Sequence, residues 1–261
     1  MENEMYYLAK QISCKNFKHS LERMQDSFDE RYEMKIDRLN ILTIWVATDG
    51  NDETGDGSEE RPFATLTRAI DAFGNVCVNT CNIKLKAGTY NITNTAIKIF
   101  KNITISGDTA DNTILNVTAS SSYFIQFHDG GSLSNLTINY TPIYDGTNNL
   151  IVCSCCFLNI SSVYVNILSD SKDLHVFNNF SGFMRLASCR AACEVSTYWT
   201  VACWSAYGGY TVIYKIVEVP EGMRVLNVGN EAAFGGHIYV KGTWGASNGE
   251  NYIKEGVIDT Y

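Results

Sequence analysis

Proline is scarce, charge is low and long apolar runs are missing from this chain. Three prolines stand among 261 residues, beside abundant Asn, Thr, Ser and Gly. That balance suits many short strands joined by turns. No stretch approaches the roughly 20 apolar residues of a membrane span, so membrane insertion is not expected. A basic excess is also missing: the net charge is -8 and the pI near 5.0, which argues against a nucleic-acid partner. The opening MENEMYYLAKQISCKNFKHS has no cationic start followed by an apolar run, so secretion by a signal peptide is not expected. What is present is a hydrophobic content of 45%, enough for an extensive core and too much for wholesale disorder.

Cysteine is not scarce, but its count is nine, an odd number. Cys153, Cys155 and Cys156 crowd together, while Cys77/Cys81 and Cys189/Cys193 are spaced by four. None combines a short spacer with the matching second pair of a zinc site. The thiols read as reduced, small core residues of a protein made in a reducing compartment. No metal or other cofactor is implied.

Residues 1–44 read as a helix. Phe17, Leu21, Met24, Phe28, Tyr32, Ile36 and Leu39 form one narrow apolar stripe, and Phe17, Phe28 and Leu39 are each eleven apart. The opposite face carries Glu22, Arg23, Asp26, Glu30, Arg31 and Asp37. The stripe needs a partner. It either lies against its own domain or pairs with copies of itself, and self-association is the preferred reading because nothing before residue 64 looks like a packing surface.

Residues 45–81 form a connector. A strand at Trp45 to Thr48 leads into an acidic loop. A helix follows, with Pro62 near its start, Phe63, Leu66, Ala69, Ile70 and Phe73 on one side, and Gly74 at its stop. As a calcium loop, DGNDETGDGSEE places Asp49, Asn51, Glu53 and Glu60 at ligand positions, but Thr54 stands where the turn needs Gly and no helix precedes it, so the match is read as incidental.

From 82 to 195 short alternating strands recur: Asn82 to Lys86, Asn102 to Ser106, Asn135 to Asn139 and Ser162 to Asn166. Chunks of about 20 to 33 residues, each holding two or three strands, are what a β-solenoid needs. Ile103/Ile105, Leu136/Ile138 and Val163/Val165 are expected to point inward in register. Seven Asn-x-Ser/Thr triplets, at Asn91, Asn102, Asn116, Asn135, Asn139, Asn159 and Asn179, read as turn and ladder asparagines rather than glycosylation sites. Residues 196–261 hold longer strands and read as a β-rich terminal module, either a sandwich-like cap or the last distorted rungs. Such a module covers the open end of a solenoid, whose bare edge invites aggregation.

The segment WVATDGNDETGDGSEERPFATLTRAID resembles the start of right-handed parallel β-helix proteins of the pectate-lyase-like superfamily. The residues carrying it are Gly50-Asn51-Asp52, Asp56-Gly57, Pro62-Phe63, Thr65-Leu66 and Ala69-Ile70. The later IKLKAGTY, with Gly88-Thr89-Tyr90 in the turn, looks like that family's first rung. The resemblance covers about 45–180 and implies a mainly β fold: a right-handed parallel β-helix with an N-terminal helical segment and a β-rich C-terminal module. The helix ahead of this motif and the aromatic-rich C-terminus resemble bacteriophage tail-spike and tail-fibre proteins. That likeness implies a homotrimer on a virion, joined to other virion proteins through the N-terminal helix, and binding a host-surface glycan or protein.

Enzymes on this fold use clustered acids. Here Asp108, Asp111, Asp129, Asp145, Asp170 and Asp173 sit beside turn residues, and no acid projects from mid-strand in two successive rungs. The pair His128-Asp129 precedes a Gly-Gly turn and reads as structural; Arg185 and Arg190 have no acid repeating beside them. Catalysis is therefore the weaker expectation. Sugar stacking has candidates in Trp199, Trp204, Tyr207, Tyr210 and Trp244, with Tyr198 and Tyr214 among them. Three roles remain open: a virion receptor-binding protein, a polysaccharide-degrading β-helix enzyme, and a bacterial surface or scaffold solenoid.

Overall fold

A computed structural model describes residues 42–74, 80–93, 95–119, 122–143, 146–169, 173–193, 199–214, 228–233, 235–240, 250–254 and 257–260. The apolar stripe Phe17, Leu21, Met24, Phe28, Tyr32, Ile36 and Leu39 lies outside the described residues, as does Trp244.

The chain begins its described course with strand β1 (Leu42–Val46), then helix α1 (Leu66–Gly74). The segment read from the sequence as helix to residue 44 is thus already strand at Leu42. Alternation decides this, since Ile44 and Val46 are buried and Thr43 is exposed. The first coil comprises β2 (Thr80–Leu85), β3 (Gly88–Thr93) and β4 (Ile97–Ile99). The next has β5 (Asn102–Ser106), β6 (Thr113–Ala119) and β7 (Tyr123–Phe127). Two coils follow with one long, bent strand each: β8 (Gly131–Pro142) with β9 (Thr147–Ser154), and β10 (Phe157–Ile167) with β11 (Asp173–Phe180). Then come β12 (Phe183–Ala187), β13 (Arg190–Cys193) and β14 (Trp199–Ala206). The chain ends through β15 (Tyr210–Ile213), β16 (Val228–Ala233), β17 (His237–Val240), β18 (Glu250–Lys254) and β19 (Val257–Thr260).

Each strand pairs in parallel with the strand one coil away, not with its chain neighbour. Three faces result. The first runs β1, β2, β5, β8, β10, β12, β15, β17, β19. The second runs β3, β6 and then the distal halves of β8 and β10 to β13. The third is a separate seven-stranded sheet from β4 to β18. This is a parallel β-helix. The strands after residue 196 keep extending the first and third faces in parallel.

Inward residues stack into a main apolar core, with a small separate cluster at Ala206 and Ala233. Each buried Leu, Ile or Val contributes roughly 1.5–3 kcal/mol. Val163 and Val165 pair with Leu136 and Ile138, as expected. Ile103 and Ile105 are buried as expected, but they pair with Gly131 and Leu133. The reason is that β8 turns a corner at Asn135, whose φ of 57° is left-handed, so Leu136 and Ile138 belong to the second face. Ser162 and Ser188 bend the following coils in the same way. A second column of left-handed residues, Cys155, Ser181 and Tyr207, turns the chain from the third face to the first.

The second face carries an amide ladder. Asn166 donates to Asn139 (2.9 Å), Asn139 to Asn116 (3.0 Å) and Asn116 to Asn91 (3.0 Å). Three of the sequence triplets therefore serve the ladder, and Asn135 serves a corner.

The acidic loop seats the capping helix. Asp52 Oδ1 accepts the Ala64 and Thr65 amides (2.7 and 3.0 Å), and its Oδ2 accepts the Thr65 hydroxyl (2.7 Å). Thr65 Oγ1 in turn accepts the Arg68 amide, an N-cap bond. Asn51 Oδ1 accepts the amides of Glu53 and Thr54, both at 2.8 Å. At Gly55 a Cβ would fall 2.3 Å from the Asn51 carbonyl oxygen, so only glycine closes this loop. From the next coil, Lys101 reaches the Phe73 and Gly74 carbonyls at 3.4 Å, complementing the helix C-terminus. Leu66, Ala69 and Phe73 then cover the first rung.

Candidate functional site

A polar group lies on the outside of the third face. Leu174 and Val176 of β11 are fully buried in the core, so alternation turns Asp173 and His175 outward. Parallel register sets Asp173 beside Thr147 and His175 beside Asn149, 26 residues apart in each pair. The Thr147 hydroxyl donates to Asp173 Oδ2 (2.9 Å). His175 Nε2 stands 3.7 Å from Asp173 Oδ1, and Nδ1 stands 3.3 Å from Asn149 Oδ1. Asn178 Nδ2 donates to the same Asn149 oxygen and lies 3.5 Å from His175 Nδ1. Asn149 Nδ2 donates to the Ser122 carbonyl (3.0 Å). Asn178 Oδ1 is buried and accepts no hydrogen bond among the described residues.

Burial lowers the His175 pKa, and the Asp173 carboxylate only partly opposes it. The imidazole is therefore held in its neutral form at neutral pH. Both ring nitrogens already face protein groups, which leaves the ring in an orienting role rather than poised to take a substrate proton. The patch offers the Asp173 carboxylate and the exposed Thr147 hydroxyl, braced by half-buried Asn149 and His175 and by fully buried Asn178. Those are hydrogen-bonding partners for a hydroxyl-rich ligand.

The aromatic candidates divide. Trp199 takes the register position beside Asp173, and Trp204 the position beside Asn178. Tyr207 lies at the corner between the third and first faces, 56% exposed, with its ring 6.0 Å from that of Phe180. Tyr210 stands on the first face, its ring between Phe183 (5.5 Å) and Tyr239 (4.8 Å). Phe157, Phe183, Tyr210 and His237 form a column, one per coil. A ring stacked on both sides presents its edge rather than its face, so Tyr210 is placed for the ladder and not for sugar stacking.

The polar candidates also resolve. Asp173 opens a strand, not a turn as the sequence suggested. His128 stacks on Phe100 at 4.7 Å, and Asp129 is exposed beside it. Arg185 lies over the Tyr214 ring and Arg190 over the Tyr164 ring. Among the described residues no three His, Cys, Asp or Glu side chains converge on a metal-sized site. Thr147, Asn149, His175 and Asn178 were not singled out from sequence. The signal that finds them is a 26-residue offset, which superposes TNN at 147–149 on DLH at 173–175.

A groove of about 440 Å³ lies elsewhere, between the start of α1 and β3. Thr48, Thr65, Thr67, Thr89 and Asn91 line it, with Tyr90. The Tyr90 hydroxyl is turned to the Lys86 carbonyl (2.7 Å), and burial pushes its pKa up to about 12. The groove is thus neutral and uncharged at its lining, and it stands apart from the outward patch.

No family model matches the chain, and no curated protein matches it in sequence. Among solved structures it is similar to pectin methylesterase PemA from Erwinia chrysanthemi, at 12% identity and a TM-score of 0.46, over 82% of this chain and 81% of that one. It is also similar to a pectin methylesterase mutant in complex with a hexasaccharide, at 13% identity and a TM-score of 0.44, over 84% of this chain and 67% of that one.

Proposed function

We propose that this chain is a bacteriophage spike or fibre protein, a homotrimer that holds a host-surface glycan on the outside of its third β-helix face. The observation that carries the glycan part is the outward group Thr147, Asn149, Asp173 and His175, with buried Asn178 behind it and the backbone positions of Trp199 and Trp204 beside it. The ligand class follows from charge. Asp173 brings a carboxylate to the patch and the chain carries -8 overall, so a neutral sugar fits better than a sugar acid. The trimer rests on the sequence stripe Phe17 to Leu39, and the virion location on the spike resemblance. The N-terminal helix would join other virion proteins.

The test is a panel of neutral and acidic oligosaccharides against the full chain, with solution mass measured alongside. Binding of a neutral glycan that falls about tenfold in Asp173→Ala, at the mass of a trimer, supports the proposal. A folded variant that binds as well as the parent removes the glycan site, and a monomer removes the trimer. A second reading, a glycan-cleaving β-helix enzyme, rests on the Asp173–His175 pair at 3.7 Å. Release of new sugar ends from a bound polysaccharide, lost in His175→Ala, would favour it.

A further inference from the structure

The corner from the third face to the first brings two sulfurs together. Cys153 is the penultimate residue of β9, and Cys156 precedes β10. Between them Cys155 takes a left-handed φ of 56°, which folds the chain back on itself. Cys153 Sγ lies 3.4 Å from Cys156 Sγ and 3.3 Å from the Cys156 carbonyl oxygen. Cys156 Sγ lies 3.3 Å from the Phe127 carbonyl of the preceding coil. One coil on, a Cβ at Gly182 would stand 2.6 Å from Cys153 Sγ, so only glycine leaves that sulfur room. Cys153 is buried, whereas Cys156 is half-buried and reaches solvent.

We propose that Cys153 and Cys156 form a thiol–disulfide exchange site for low-molecular-weight disulfides, with Cys156 as the attacking sulfur and Cys153 as the resolving one. The Cys156 thiolate attacks one sulfur of R–S–S–R, forming a Cys156–S–S–R bond and releasing R–S⁻. Cys153 then passes its proton to the departing R–S⁻, which leaves as R–SH, and attacks Cys156 Sγ. The Cys153–Cys156 bond forms and the second R–S⁻ leaves. Two protein thiols are oxidised by two electrons, and the disulfide is reduced to two thiols.

The order of attack follows from the surroundings. The Cys153 thiol hydrogen bond, helped by the backbone amides of Gly130 and Ser154, holds Cys156 down to about 7, against burial and the nearby Asp129 carboxylate. The contact with Cys156 and burial push Cys153 far up. The other described core cysteines differ. Burial raises Cys81 and Cys203 to about 12 and Cys189 to about 11, which keeps them protonated and inert. A disulfide across two intervening residues closes too small a loop to stabilise the fold much, so the pair offers chemistry rather than a staple.

The experiment treats the full chain with oxidised glutathione, blocks remaining thiols by alkylation and maps peptides by mass. A Cys153–Cys156 disulfide is expected in the parent, and a trapped Cys156–glutathione adduct in Cys153→Ser. Cys156→Ser should slow glutathione release at least about tenfold. Glutathione carried on exposed Cys155 instead, a disulfide that includes Cys155, or undiminished exchange in Cys156→Ser each overturns the proposal. Mapping of the parent needs no variant, so misfolding of Cys153→Ser does not blunt the test. The outcome is independent of whether the third face binds a glycan.

Discussion

The acidic loop at 49–65 and the outward patch on the third face are both polar, yet they are built on opposite plans. In the loop, both Asp52 oxygens are taken by the backbone and hydroxyl of the helix start, and Asn51 turns back on two amides. In the patch, side chains from neighbouring coils bond chiefly to one another, and Asn178 keeps a buried acceptor with spare capacity. Polar density alone does not mark a site. What matters is whether the groups are used up in holding the backbone.

That contrast can be broken at its strongest point first. Asp52→Ala leaves two amides and a hydroxyl without their acceptor and loosens the cap over the first rung. A loss of about 2–3 kcal/mol is expected in urea unfolding. Asn116→Ala cuts two bonds of the amide ladder, and its flanking amides reach water, so about 1 kcal/mol should be lost. Asp173→Ala sharpens the other side of the comparison: stability should fall by less than about 1 kcal/mol while glycan affinity drops about tenfold. The ion pair of Asp56 with Arg61 (3.2 Å) is exposed on both sides, and Asp56→Asn should leave the unfolding midpoint where it is.

His175 adds a pH signature confined to the patch. Its folded pKa is lowered, so the unfolded chain takes up a proton near the ordinary 6.5 and the native chain only at lower pH. Its contribution is complete above about 6.5 and is lost as pH falls from there toward the folded value. His175→Gln should flatten the acid limb of the stability curve, and an unchanged limb would show that burial does not set this ring's charge.

Much of the fold was legible because its signals are local. Alternation marked Ile103, Ile105, Leu136, Ile138, Val163 and Val165 as inward, and all are buried. The sequence Pro62 to Gly74 announced the capping helix, although its first turn begins only at Leu66. The register was less legible, since a left-handed Asn135 inside one long strand carries no sequence mark that separates it from turn asparagines. The aromatic candidates were read by composition. Stacking along the coil axis covers the faces of Tyr210, which composition does not report. His175 was passed over because a lone histidine in an apolar strand has no local partner.

The sequence by itself determined that this chain coils. Period-two apolar residues, turn amides and the acidic lead-in to α1 act over a few residues, so they can be read without a partner strand. Only the tertiary structure decided which side chains meet. Coil length and the left-handed corners set the offset between neighbouring strands, and that offset brings Thr147 to Asp173, Asn149 to His175 and Phe157 to Phe183. Contacts between residues one coil apart depend on the summed length of every strand and turn between them, and no local pattern fixes that sum.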